Sequence, residues 1–205
     1  MLEWRYAAKV FNADRRIPDD EWNALQESLH LSPSSLGLQM WRFMDVQSPS
    51  VREALRAVSW DQGQVTDASH LVVFCARRSF DPEDAQRHLE RIAEVRGVTM
   101  ESLALYKERI LGLVTSKPPE VLKAWVERQV YIALGFMMSS AAALRIDTCA
   151  LEGMVPEEYD RILNLEHSPY YALCALALGY RDDAADKYAH LAKVRFKRDD
   201  VIHTV

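Results

Sequence analysis

The apolar residues of the chain recur mainly at helical spacing. In residues 19–31, Trp22, Leu25 and Leu29 follow one another every three or four positions, as the buried face of an amphipathic helix requires. Ser32 and Pro33 end this pattern, because the residue before a proline avoids helical geometry. Comparable patterns predict further helices over 51–58, 82–96, 99–114, 119–145 and 156–164.

Two compact apolar runs predict buried strands. His70–Ala76 is rich in β-branched and aromatic residues, and Tyr171–Leu178 is a second apolar run, which is ended by Gly179. A shorter strand is predicted over Phe43–Val46. The tail from Ala192 to Ile202 alternates basic and apolar residues, which predicts an extended segment ending in an edge strand.

The second half of the longest predicted helix, Ala133–Ala143, is apolar or small all round. Such a pattern predicts a helix that is buried on every side, and here it suggests a position near a subunit interface. Long helices alternate with a few strands along the chain. The sequence therefore predicts an α+β fold, in one domain over 1–205, with a helix-dominated core around a small sheet.

Composition narrows the possible classes of function. The chain has 205 residues, a net charge of -5 and a pI of about 5.7, which argues against a nucleic-acid binder with a basic face. No apolar run reaches the roughly 20 residues of a membrane span, and no signal peptide is evident at the start. Cys75, Cys149 and Cys174 lie inside apolar runs, so we expect reduced, buried thiols in a cytoplasmic protein. The histidines are scattered, and no metal site is predicted.

Basic residues near both ends of the chain are candidates for anion binding. The sequence contains no P-loop and no other glycine-rich phosphate motif, and it has only 7 glycines. Side chains would therefore have to hold an anion. Arg5 and Lys9 share one face of an extended segment with Ala7, and Lys193 and Arg195 share another. The alternative is solvated surface charge near loose termini.

Two short segments could contact a polar or flat ligand. Ser32–Trp41 offers hydroxyl groups and backbone N–H donors in a turn, although it could simply be the loop that ends a helix. Ala150–Met154 contains Gly153, whose missing side chain permits close approach of a flat ligand. The alternative for this second segment is a plain turn.

Taken in order, these segments resemble the nitroreductase family of FMN enzymes, and the resemblance covers nearly the whole chain. The motifs that carry it are RYAAKVF, SPSSLGLQMWRF, DASHLVVFCA, ERQVYIALG, ALEGM, ALGYRDD and AKVRFKRDDVI. The resemblance implies helices around a small, central, mainly antiparallel sheet. It also implies a domain-swapped homodimer with FMN at the subunit interface.

The resemblance also implies roles for individual residues. Arg5, Lys193 and Arg195 would hold the FMN phosphate, and Lys9 would lie near the pyrimidine edge of the ring. A backbone N–H in the ALEGM turn would address flavin N5. Other expected FMN contacts in the same chain are Tyr6, Ala7, Asp61, Gln64, Ala150, Leu151, Glu152 and Gly153. Contacts expected from the partner subunit's loop are Pro33, Ser34, Ser35 and the neighbouring Gly37.

Several positions depart from the usual family pattern. Ala7 stands where relatives often have serine, and Gly37 lies where an asparagine side chain often contacts the ring. Met40 replaces a proline of the same loop. Asp61 and Gln64 stand where relatives carry an asparagine and a lysine or glutamine. An aspartate beside the flavin would disfavour its reduced, anionic form unless the carboxylate is turned away or protonated.

The activity that the resemblance implies is NAD(P)H-dependent reduction by a ping-pong mechanism. Hydride would pass from NADH or NADPH through flavin N5 to a nitroaromatic, a quinone or a similar small acceptor. The flavin carries the chemistry, so no catalytic side chain is predicted, and Lys9 and Glu152 would support it. Two alternatives remain: other flavin chemistry (dehalogenation, enone reduction or flavin breakdown) and a non-catalytic dimeric binding protein without FMN. Candidate aromatic walls of the pocket are Trp41, Trp60, Tyr106 and Trp125.

Overall fold

The computed structural model describes all residues, 1–205, and contains a single four-stranded sheet. The strands are β1 (Trp41–Asp45), β2 (His70–Arg77), β3 (Asp147–Leu151) and β4 (Tyr170–Gly179). Their order in the sheet is β1-β2-β4-β3, and every neighbouring pair is antiparallel. β1 and β3 therefore form the two opposite edges. The predicted α+β fold with an antiparallel sheet is confirmed.

Eight helices surround the sheet and largely match the predicted ranges. They are α1 (Asp19–His30), α2 (Pro49–Ala57), α3 (Gln64–Asp67), α4 (Pro82–Arg96), α5 (Ala104–Thr115), α6 (Pro119–Ala143), α7 (Pro156–Ile162) and α8 (Arg198–Val201). The sequence patterns did not predict α3 or α8. β3 was recognised only as a strand-like stretch before the ALEGM turn. None of the helices is both long enough and apolar enough to cross a membrane.

β2 is apolar throughout because both of its faces are covered. Val72, Phe74 and Ala76 belong to a core that also includes residues of α1, α4 and α6. Leu71, Val73 and Cys75 alternate with them and belong to a second core on the other face of the sheet. Side chains alternate between the two faces of a strand, so two cores require a continuous apolar run. All three cysteines are free and buried, as predicted.

The central helix α6 is only partly buried within one chain. Val130, Ala133 and Met137 are fully buried against the core. Ile132 and Phe136 are 41% and 46% exposed on the opposite face. The expectation of burial on every side is therefore wrong for the single chain, because one chain supplies neighbours to only one stripe of the helix.

The prediction of an edge strand in the C-terminal tail is wrong in this structure. Residues 192–197 have no regular secondary structure, and α8 follows them. A β-strand needs hydrogen-bonding partners on a neighbouring strand, and the tail has none within its own chain. The short helix forms instead through local bonds such as that from the Ile202 N–H to the Arg198 carbonyl, 2.8 Å.

Candidate functional site

The N-terminal basic segment lies against β3, at one edge of the sheet. Ala7 forms a parallel bridge with Thr148, and the Ala8 N–H donates to the Thr148 carbonyl at 3.2 Å. Residues 5–9 therefore run beside the strand that leads into the ALEGM turn. The fold therefore brings together two segments that are about 140 residues apart in sequence.

Asp186 fixes the position of this segment. Its Oδ2 atom accepts hydrogen bonds from the Lys9 N–H at 2.7 Å, the Tyr6 hydroxyl at 2.8 Å and the Val10 N–H at 3.3 Å. Burial alone would raise the pKa of Asp186, but these donors and the Tyr188 N–H lower it below its usual value. The carboxylate therefore stays ionised and holds the basic segment in place.

Arg5, Lys193 and Arg195 form a cluster of cations beside this segment. The Lys193 ammonium donates to the Arg5 carbonyl oxygen, and the Arg195 guanidinium bonds only the carbonyl of Val194, at 2.6 Å. Arg5 Nε is buried and has no hydrogen-bond partner. None of the three cations pairs with a carboxylate. Burial, and then repulsion from Arg195, lowers the pKa of Arg5, so the cluster favours a bound anion.

Lys9 and Gln64 converge on one atom, the sulfur of Cys149 in β3. The Lys9 ammonium lies 3.8 Å from Cys149 Sγ, and Gln64 Nε2 lies 3.9 Å from it. Burial raises the pKa of this thiol, although Lys9 and Gln64 partly offset the effect. The thiol remains neutral, and the lysine charge has no carboxylate partner here. It is available to a ligand that carries negative charge.

The ALEGM turn follows β3 directly and is held from two sides. The Tyr131 hydroxyl of α6 hydrogen-bonds Glu152, and Gln62 Nε2 donates to the Gly153 carbonyl at 3.0 Å. The ring of Trp60 lies over Gly153, so that a Cβ atom added to Gly153 would be 2.6 Å from Trp60 Cε3. Of the candidate aromatic walls, Trp60 is 80% exposed and Trp41 is buried in the core. Tyr106 and Trp125 pack partly buried against that core.

Asp61 is close in sequence to Trp60, but its carboxylate is engaged elsewhere. It accepts from Arg56 Nε at 2.7 Å, and its side chain is 83% exposed. Trp60 and Asp61 both adopt positive φ, 53° and 52°, which is rare for non-glycine residues and places this turn under local strain. The acidic charge is thus neutralised by an arginine, while Gln64 reaches the buried side of the site.

The loop around Ser34 lies at the other edge of the sheet. The Ser35 N–H donates to Gln129 Oε1 at 2.9 Å, and Ser34 Oγ accepts from the Gln39 N–H at 3.0 Å. Gly37 has φ +64° and packs against His88. This loop leads into β1, whereas Arg5–Lys9 and the ALEGM turn lie beside β3. Three strand spacings, roughly 14 Å, separate those edges, and one chain does not bring Pro33, Ser34, Ser35 and Gly37 to the cation cluster.

Comparison with known proteins identifies the family of this chain. The model of the nitroreductase family matches residues 2–180. The chain belongs to the nitroreductase family. A protein of Staphylococcus saprophyticus with the provisional name NAD(P)H nitroreductase is 33% identical over 211 residues, which cover 98% of this chain and 93% of that protein.

Solved structures share the fold of this nitroreductase-family protein. A Staphylococcus epidermidis structure, provisionally described as an NAD(P)H:FMN oxidoreductase, has a TM-score of 0.84 at 24% identity and covers 100% of this chain and 93% of its own. A provisionally described nitroreductase of Exiguobacterium sibiricum, solved in complex with FMN, has a TM-score of 0.83 at 20% identity. The alignment covers 100% of this chain and 95% of that one.

Three residues at the site of this family member were missed by sequence reasoning. Asp186 anchors the basic segment, Tyr131 holds Glu152, and Cys149 lies between Lys9 and Gln64. Tyr131 belongs to the ERQVYIALG motif, which could have marked it. Asp186 is about 180 residues from its partners in the basic segment and follows two other aspartates, Asp182 and Asp183, so no local pattern distinguishes it.

We predict that Asp186→Asn destabilises the protein by about 2–3 kcal/mol, since amide nitrogen would face N–H donors in a buried site. The effect should depend on pH. Because the pKa of Asp186 is lowered in the folded state, its stabilisation is present above the ordinary aspartate pKa, about 3.9, and is lost as pH falls through the folded value. Urea unfolding at pH 7 and below pH 3 measures this. An equal difference between variant and wild type at both pH values would contradict the assignment.

Proposed function

We propose that this protein is an FMN-dependent oxidoreductase that uses NADH or NADPH to reduce a small acceptor such as a nitroaromatic or a quinone. The observation that carries the proposal is the cluster of Arg5, Lys193 and Arg195, which lacks any acidic partner and lies beside β3. The cluster fits a phosphate dianion, because arginine offers a planar fork of donors and lysine a point charge. The names of the nitroreductase relatives support the same activity.

The remaining contacts suit a flat, electron-accepting ring. Lys9 and Gln64 would face the ring edge that gains negative charge, and the backbone of Ala150, Leu151, Glu152 and Gly153 would lie along it. When bound, FMN would supply hydride acceptance at N5 and return two electrons to the acceptor. The chain itself would bind the phosphate, orient the ring and place a cation near the reduced pyrimidine edge. Tyr6 bonds Asp186 and Ala7 pairs with Thr148, and these contacts would hold the backbone of the basic segment beside the flavin ring.

We further propose that two copies of the chain complete each site. The loop with Pro33, Ser34, Ser35 and Gly37 lies at the sheet edge opposite to the cation cluster, so a second copy would have to supply it. An exposed apolar face on α6 offers an interface for that copy. It includes Ile132 and Phe136 and borders a depression of about 650 Å³. The exposed tail, with Val201 and Ile202 61% and 57% exposed, is a candidate for exchange between the subunits.

The deciding experiment is the visible absorption spectrum of the purified protein, before and after anaerobic addition of NADH or NADPH. A flavin spectrum that bleaches, and that returns on addition of a quinone or a nitroaromatic, would support the proposed activity. A flavin spectrum that does not respond would favour another reaction of the flavin. No flavin after reconstitution with FMN would favour a binding protein instead. Parallel lines in double-reciprocal plots would support the ping-pong order.

We predict that Gly153→Ala lowers FMN affinity by about 10-fold or more while the protein stays folded. The added Cβ would meet Trp60, which is 80% exposed and borders solvent into which its ring can shift. It would also occupy the space through which the flavin ring approaches the backbone. Fluorescence titration of the apoprotein with FMN measures the affinity. Gly112→Ala is the matched control, because an added Cβ there meets nothing within 4 Å. Equal affinities in the two variants would contradict the placement of the ring.

A further inference from the structure

A polar pocket lies away from the proposed flavin contacts. It has a volume of about 560 Å³ and is formed where the chain enters α1, where β1 leads into α2, and where α3 leads into β2. We call it the Arg52 pocket, after the most buried charged residue in its wall. No residue in its wall belongs to the expected FMN contacts.

Arg52 is a buried guanidinium without a partner. Its residue is 6% exposed, and its Nε and Nη2 atoms are buried with no hydrogen-bond acceptor. No carboxylate forms an ion pair with it. Burial, and then repulsion from Arg16, lowers the pKa of Arg52. A buried charge with no counter-ion is costly, and an anion in the pocket would relieve that cost.

Other donors line the same pocket. Arg16 lies in its wall and is held there by a bond from Nη1 to the Ser69 carbonyl at 3.1 Å. Ser69 Oγ accepts from the Ile17 N–H at 2.9 Å, which leaves the hydroxyl proton free to donate. The first turn of α2 begins at Pro49 in the same wall, so its unpaired N–H groups add positive potential.

Acidic groups limit the charge that the pocket can accept. Asp19 and Glu53 are exposed residues of its wall, and Asp45 and Asp67 act on Arg52 from a longer distance. Solvent screens the exposed Asp19 and Glu53, and Asp45 accepts from Gln47 Nε2 at 2.8 Å. The remaining positive charge suits a ligand with one negative charge better than a dianion. A planar carboxylate also matches the parallel N–H bonds of an arginine.

We propose that the Arg52 pocket binds the carboxylate group of a small molecule, at a site separate from the flavin. One other source has the same chemistry, namely the terminal carboxylate of Val205 in a second copy, because this end of the chain is fully exposed. In both cases Arg52 is the buried anchor, while Arg16 and Ser69 complete the set of donors. Binding there would stabilise the fold and give the protein a second ligand.

The test uses the FMN-loaded, ¹⁵N-labelled protein titrated with propionate at constant ionic strength. We expect saturable chemical-shift changes at Arg16, Arg52 and Ser69 without a change in the flavin absorption spectrum. Arg52→Gln should weaken the binding by about 10-fold or more, and Arg161→Gln should leave it unchanged, since Arg161 is an exposed partner of Glu158. Propionamide, the neutral counterpart, should not bind, and inorganic phosphate should bind more weakly than propionate.

Two further proteins keep the proposal falsifiable. If Arg52→Gln does not fold, Arg16→Gln at the exposed end of the pocket should still weaken the binding. A chain extended by Gly-Ser-Gly after Val205 separates the two sources: tighter propionate binding by the extended chain indicates the terminal carboxylate, and equal binding indicates a free small molecule. The proposal is overturned if neither the wild type nor the extended chain binds propionate. Unchanged affinity in folded Arg52→Gln, or equal binding of propionamide, would also overturn it.

Discussion

Arg195→Ala should weaken FMN binding by about 10- to 100-fold and leave the fold intact. A charge-assisted hydrogen bond contributes about 1.5–3 kcal/mol, and each 1.4 kcal/mol is a factor of ten in affinity. The Arg195 side chain bonds only the carbonyl of its neighbour Val194 and lies close enough to Arg5 and Lys193 to repel them. Removal of this side chain should therefore not lower the stability of the FMN-free protein.

Because FMN affinity should fall while stability does not, the experiment distinguishes a phosphate-binding role of Arg195 from a structural one. The measurements are FMN affinity by fluorescence titration and thermal unfolding of the FMN-free protein. Arg161→Ala is the control, because it also removes one exposed arginine, and Arg161 lies with its partner Glu158 on α7, whereas the cluster lies outside the helices. The affinity of wild type should fall with added salt more steeply than that of Arg195→Ala. Equal FMN affinity in the two variants would contradict a phosphate site at the cluster.

Phe136→Glu should dissociate the proposed dimer and release FMN together with it. Phe136 is 46% exposed on the apolar face of α6. In a symmetric dimer the substitution occurs twice, and each lost aromatic contact is worth about 2 kcal/mol. The dissociation constant of the dimer should rise about 1000-fold, before the added cost of burying a carboxylate.

The sedimentation coefficient of the variant and its bound-flavin content should both fall. Val95→Glu provides the control, since Val95 is 64% exposed on α4 and the substitution is chemically the same. A wild-type protein that sediments as a monomer would contradict the dimer. A monomeric Phe136→Glu variant that retains full FMN affinity would show instead that the loop around Ser34 is not supplied by a second copy.

The pairing of Asp61 with Arg56 changes how one departure from the family pattern should be interpreted. The sequence placed an acidic residue where relatives have an asparagine, which suggested an unfavourable charge beside the reduced ring. The structure shows the carboxylate bonded to Arg56 at 2.7 Å and largely exposed. The carboxylate is therefore paired with Arg56 in this chain, and a flavin bound as proposed would meet a paired acidic charge instead of a free one.

Local patterns in the sequence were sufficient for most of the secondary structure. The predicted range of α4, 82–96, is exact, because Asp81 caps its start and Gly97 ends it in a left-handed conformation. β2 and β4 were predictable because strands covered on both faces must be apolar throughout. The short strand β1 and the helix α2 were shifted by about two residues, since their boundaries depend on turns rather than on periodicity.

The sequence by itself determined the family, the order of the longer helices and strands, and the group of cations near the two ends of the chain that could hold an anion. These depend on residue type and on local spacing. Only the tertiary structure decided which groups the acidic residues bind: Asp186 accepts hydrogen bonds from the Lys9 N–H and the Tyr6 hydroxyl, and Asp61 pairs with Arg56. It also decided which stripe of α6 stays exposed, that the tail forms no strand in one chain, and that Arg52 is buried without a counter-ion. Pairing, exposure and burial are properties of contacts between distant segments, which no local pattern specifies.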